Sequence, residues 1–117
     1  MDEAYLRTML FDFYGELLTD KQREYFDLHY NEDLSLSEIA ESEGISRQGV
    51  WDIIRRAEAS LRRYESRTGL VARFADQRQI AGRMEIKLAA LAERLSGEDR
   101  ALAAEIQEEL QELRHGI

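Results

Sequence analysis

The chain has 117 residues, 44% of them hydrophobic, with 24 acidic against 16 basic residues and neither cysteine nor proline. That length suits one compact domain with room for an extension. The missing cysteines exclude disulfides and thiolate metal sites. The net charge of −8 excludes a protein held to nucleic acid by bulk charge alone.

The opening "MDEAYLRTML" lacks the basic flank and apolar centre of a signal peptide. No apolar run approaches the roughly 20 residues that span a bilayer. The expectation is a soluble cytoplasmic protein without a membrane segment. Leu6, Met9, Leu10, Phe13 and Leu17 follow the spacing of one helical face, and Asp2 and Glu3 suit a helix start. A first helix is predicted over about 3–17. Thr19 and Gln22 read as a capping box. They open a second helix to about Tyr30, with Gln22, Tyr25, Phe26 and His29 near one stripe. "NED" breaks it, and Ser35 with Glu38 opens a short third helix, about 36–42. "EGI" is a turn. Ser46 caps a fourth helix that reaches Arg67, with Gly69 at its C′ end.

From Leu70 the pattern stays helical but less apolar. Leu88, Leu91 and Leu95 are spaced like a heptad seam. Ser96 with Asp99 offers an N-cap, and Gly97 loosens the helix before it. Leu102, Ile106, Leu110, Leu113 and Ile117 then mark one face of a last helix. With no prolines to interrupt helices and no alternation typical of strands, the predicted fold is all-α. It is a helical bundle with a globular unit over 1–68 and a C-terminal helical hairpin or tail over 69–117. That extension is expected to pack on the domain or on a second copy, as a homodimer.

Charge is unevenly spread. Residues 1–45 hold 12 acids and 3 bases, residues 46–87 hold 10 bases and 5 acids, and residues 88–117 hold 3 bases and 7 acids. The basic stretch begins directly after the turn at Gly44. A helix-turn-helix unit needs a small residue where its helices cross, a turn residue tolerant of positive φ, and a second helix with one buried stripe and an open N-terminal polar face. Ala40, Gly44, Val50 and Ile53 stand at that spacing, with Ile54 or Ala57 completing the stripe and Ile45 plugging the space between helices. Ser46, Arg47, Gln48, Trp51, Asp52 and Arg55 make up the candidate nucleic-acid face. Arg47 sits where base edges or phosphates are met, with pairing to Glu43 as its plainer role. Gln48 has the chemistry to pair with adenine. Asp52 either accepts from cytosine or pairs with Arg55 or Arg56. Trp51, the single tryptophan, either stacks on an unpaired base or covers the seam between the third and fourth helices. Arg62 and Arg63 read as solvated or paired with Glu58 and Glu65. His29 and His115 stand alone, so no metal site is expected. No nucleophile motif or phosphate-cradling loop is present, so neither enzyme activity nor a cofactor is expected.

The segment "LSLSEIAESEGISRQGVWDIIRRAEASLRR" resembles region four of bacterial sigma factors, which reads promoter DNA. Arg47 matches that pattern, whereas Gln48, Gly49 and Asp52 depart from it. The longer stretch "LLTDKQREYFDLHYNEDLSLSEIAESEGISRQGVWDIIRRAEASLRRYESRTGL", Leu17 to Leu70, resembles the YlxM family of small bacterial proteins. That resemblance implies a sigma-like helix-turn-helix with a helical C-terminal part. It also implies genes beside those of the signal recognition particle and a regulatory or accessory role there. The partners it implies are DNA or the particle's RNA, and the particle's protein. The expected function is a non-enzymatic nucleic-acid-binding regulator. The alternative is a protein-interaction adaptor of the particle that does not itself bind nucleic acid.

Overall fold

The computed structural model describes residues 2–116, and among these it has six α-helices, one 3-10 turn and no strand. The helices are α1 (Glu3–Tyr14), α2 (Asp20–Tyr30), α3 (Leu36–Glu43), α4 (Arg47–Thr68), α5 (Leu70–Ala92) and α6 (Gly97–Gly116), with the 3-10 turn at Gly15–Leu17. The fold is all-α. None of the described helices is long and apolar enough to cross a membrane. The chain divides into two compact units, Met1–Val71 and Ala72–Ile117, with the division falling inside α5.

Each helix of the first unit starts where a side chain satisfies its free amides. Asp2 accepts from the Tyr5 amide at 2.9 Å. Thr19 and Gln22 form a complete capping box at the head of α2, as Ser35 and Glu38 do at the head of α3. The Ser46 hydroxyl accepts from the Gly49 amide at 3.0 Å and starts α4. Gly44 ends α3 in the left-handed conformation at φ 70°, and Gly69 ends α4 in the same way at φ 63°.

α4 packs against α1, α2 and α3. Its buried line is Val50, Ile54, Ala57 and Leu61, and the buried residues of the helices it packs against include Leu10, Tyr25, Phe26 and Ile39. Phe11 stacks on Phe26 with ring centres 5.0 Å apart. Arg7 joins three helices: its guanidinium contacts Glu58 at 2.9 Å and lies over the Tyr30 ring at 4.3 Å. His29, near the end of α2, bonds through Nδ1 to the Leu34 carbonyl at 2.8 Å and closes the loop before α3.

Four apolar assignments differ from the sequence pattern. α1 stops at Tyr14, whose φ of −121° and ψ of 0° leave the helical region. Helical spacing no longer applies beyond it, so Leu17 is 61% exposed while Leu18 is buried. Phe13 also lies at the edge of the core rather than in it. Ile45 is 40% exposed and does not plug the space between α3 and α4. Its amide bonds back to the Ala40 carbonyl at 3.2 Å, which holds it in the outer part of a Schellman-type turn. Ile39 is the buried residue of that crossing, and Ile54 rather than Ile53 lies on the fully buried line of α4.

In the second unit α5 turns back through residues 93–96 into α6. Arg114 of α6 donates to Glu85 of α5 at 2.7 Å. Ala81 and Leu88 share the face of α5 that carries Glu85, and the buried Ala103 and Leu110 share the face of α6 that carries Arg114. The expected leucine seam is therefore split. Leu88 and Leu95 are half-buried while Leu91 is exposed, and Leu102, Ile106 and Leu113 are exposed beside Leu110. Ile117 lies outside the described residues. Alanines allow a close helix approach, and the leucines flank it.

Candidate nucleic-acid interface

The first two turns of α4 carry the candidate site. Val50 and Ile54 fix the rotation of the helix by burying the opposite side. That leaves Arg47, Gln48 and Arg55 exposed and Trp51 and Asp52 half-buried. Ser46, Arg47, Gln48 and Trp51 come together around an open groove of about 580 Å³, whose remaining wall is Leu36 at the start of α3. Leu36 escaped the sequence reading. Its position directly after a capping serine gave no functional signal, and only the α3–α4 crossing brings it to Trp51. Asp52 and Arg55 lie one turn further along α4, outside that groove.

The electrostatics of this end of α4 have a local cause. A helix N-terminus carries partial positive charge from its unpaired amides. α1, α2, α3 and α6 all have an acidic residue in their first turn, whereas α4 and α5 have none. Gly49 occupies the third helical position and is half-buried, with its amide bonded to Ser46 and the end of the Ile45 side chain beside it. Arg47, Arg55 and Arg56 are in no ion pair among the described residues, in contrast to Arg7, Arg23, Arg62 and Arg114. Arg47 therefore does not pair with Glu43. Arg62 bonds to Glu3 and lies 3.5 Å from Glu58.

Asp52 does not pair with Arg55 or Arg56 either. Its carboxylate accepts from Gln48 Nε2 at 3.0 Å. A glutamine four residues before an aspartate reaches it along one helix face, and the bond leaves both arginines to solvent. The pair still has an amide oxygen on the exposed Gln48 and a second carboxylate oxygen on the half-buried Asp52, both acceptors. An edge of that kind complements an exocyclic amino group better than a phosphate.

Such an arrangement fits a helix-turn-helix reader. A family model described as "Putative helix-turn-helix protein, YlxM / p13 like", UPF0122, matches residues 1–101. The chain belongs to the UPF0122 family. The match takes in all of α1 to α5 and ends inside α6. Among UPF0122 relatives, one from Acetivibrio thermocellus is 43% identical over 115 residues, covering 97% of each chain. One from Symbiobacterium thermophilum is 49% identical over 104 residues, 89% of this chain and 95% of the relative. One from a Thermoanaerobacter species is 57% identical over 74 residues, 62% of this chain and 63% of the relative. The chain thus spans less than two thirds of the length of that last UPF0122 protein. Among the described residues no group of three or more His, Asp or Glu side chains could hold a metal ion.

Proposed function

We propose that this chain is a non-enzymatic regulatory protein that binds nucleic acid through the N-terminal turns of α4, working in the cytoplasm with the signal recognition particle. The observation that carries the reading is the first turn of α4. It is capped by Ser46, free of carboxylates, and flanked by the unpaired Arg47 and Arg55. A phosphate fits against the free amides of Arg47 and Gln48. From there Arg47 reaches a base edge or a second phosphate, and Arg55 follows the backbone one strand-step away. Gln48 and Asp52 offer acceptors to an amino group on a base. The half-buried Trp51, beside Leu36, forms the wall on which an unpaired base or a sugar packs.

The resemblance to the YlxM family supports the link to the particle, and it makes the particle's RNA a ligand to test beside duplex DNA. The adaptor reading draws support from the exposed apolar residues of α5 and α6 and from the net charge of −8. The test is fluorescence anisotropy with duplex DNA and with the particle's RNA across a salt series. Arg47→Ala is expected to weaken binding by about 1–3 kcal/mol if it reads a base. Arg55→Ala weakens all sequences alike and flattens the salt dependence. If neither nucleic acid binds below about 100 μM, or if both variants bind like wild type, α4 is not the working surface and the adaptor reading replaces this one.

A further inference from the structure

The hairpin of α5 and α6 has two unlike faces. One carries a groove lined by Glu85, Ile86 and Ala89 of α5 and by Ala104, Glu108 and Gln111 of α6, among others. At 3.6 residues per turn, Ile80, Met84 and Leu91 fall within about 40° of one another, on the side of α5 turned away from that groove. Leu102, Ile106 and Leu113 form the corresponding line on α6. Both lines lie about 100–120° from the contact between Glu85 and Arg114, in the direction opposite to the groove, so they share one face of the hairpin. All six side chains are between 39% and 58% exposed.

The edges of this face are charged, with opposite signs. Outboard of the apolar line on α5 stand Arg83 and Lys87, both exposed. Outboard of the line on α6 stand Glu105, Glu109 and Glu112, also exposed. Across the face the order is basic edge, two apolar lines, acidic edge. The contact of Glu85 with Arg114 sets the register and puts residues 83–87 roughly level with 109–114.

We propose that this face is a homodimer interface, on which two hairpins stack as a four-helix bundle with α5 of one chain over α6 of the second copy. A two-fold axis parallel to the helices lays each basic edge on the acidic edge of the other chain, at both ends of the interface. The alternative axis, perpendicular to the helices, stacks α5 on α5 and α6 on α6 and sets like charges together, which is repulsive. The charge order therefore selects an occupant that is a copy of the chain itself, in one arrangement. The area is sufficient. Six half-exposed large side chains offer on the order of 500 Å² per chain, near the upper range of an apolar patch on a monomer. Doubled across a pair, that gives about 1,000 Å² before the charged edges are added, the size from which specific interfaces begin.

The test is sedimentation equilibrium of the full chain at physiological salt, with circular dichroism to verify folding. Wild type is expected to be a dimer at tens of micromolar. Arg83→Glu with Lys87→Glu makes both edges acidic, and Glu109→Lys with Glu112→Lys leaves both net basic, with Glu105 the one acid remaining on the α6 edge. Each double variant alone is expected to dissociate at least tenfold more readily than wild type. Mixed one to one, the two are expected to recover wild-type association, because every acidic edge then meets a basic one. Leu91→Ser, on an exposed position, weakens the dimer without unfolding the chain. A wild type that stays monomeric at 100 μM overturns the proposal, with the face then covered by something other than a second copy. Double variants that self-associate like wild type, or a mixture that stays monomeric, overturn it equally.

Discussion

Gly44 is the residue on which the turn between α3 and α4 depends. Its φ of 70° lies in the left-handed region, yet a Cβ built there meets nothing within 4 Å. The cost of replacing it is therefore backbone strain and not collision. Gly44→Val should cost more than about 1 kcal/mol in a thermal or denaturant melt, because a β-branched residue is poorly tolerated at positive φ. Gly44→Asn should cost clearly less, since asparagine visits this conformation. Equal losses for the two would count against backbone strain as the cause. Tyr14 offers a second test. Its hydroxyl donates to Glu65 at 2.6 Å and contacts the Thr68 hydroxyl. Burial pushes its pKa above the ordinary tyrosine value, and the Glu65 carboxylate adds to that. The fold thus holds the neutral form. Its contribution is complete below about pH 10, the unfolded value, and is lost as pH rises through the folded one. Tyr14→Phe should cost about 1–2 kcal/mol at neutral pH and should lose less stability than wild type above pH 10.

α4 divides its residues between core and solvent by rotation. Val50, Ile54, Ala57 and Leu61 are buried, and the turns before and between them carry Arg47, Gln48 and Arg55 outward. Stability and binding should therefore separate by position. Ile54→Ala, at a site with no exposure, should cost about 2–5 kcal/mol in chemical denaturation. Arg55→Ala, one residue away, should change stability by less than about 0.5 kcal/mol while reducing nucleic-acid affinity. Asp52 gives a prediction of opposite sign. Asp52→Asn keeps an oxygen to accept from Gln48 but removes a negative charge facing phosphate. Affinity for nonspecific duplex should rise, by about 1 kcal/mol for one charge at close range in water, whereas a site whose base amino group bonds the Asp52 carboxylate should gain less or lose. Unchanged affinity in anisotropy titrations would place the ligand elsewhere.

On the scale of the whole chain, the charge distribution limits how it can bind. Residues 46–87 carry 10 bases against 5 acids, while the segments before and after are acidic. Local charge favours a phosphate backbone along α4 and residues 70–87 of α5, and disfavours it elsewhere. Nonspecific duplex affinity at physiological salt should be weaker than the roughly 10⁻⁴ to 10⁻⁶ M of basic domains. Useful binding then has to come from a specific site or from two linked copies, which raise effective concentration without a new contact. A salt titration on random-sequence duplex checks this. Tight, strongly salt-dependent binding would show that the acidic segments stand clear of the nucleic acid.

The sequence alone determined what is local. Thr19 with Gln22, Ser35 with Glu38, Ser46, Gly44 and Gly69 end or begin helices as read, because a cap is closed by bonds spanning three to five residues. The helical class, the helix-turn-helix spacing and the outward set Arg47, Gln48 and Arg55 follow from the same short-range periodicity. What tertiary structure decided is which line within each apolar arc becomes core. An amphipathic helix offers an arc of about 100° or more, while a neighbouring helix covers a narrower line whose place depends on the crossing. That is why Leu18 is buried and Leu17 is not, why Ile54 outranks Ile53, and why Leu110 is covered while Leu113 is exposed. It is also why Leu36 joins the wall beside Trp51. Partner choice among charges was undecided for a related reason. Asp52 had candidates three and four residues after it and Gln48 four before it, and side-chain conformation, not spacing, gave the bond to Gln48.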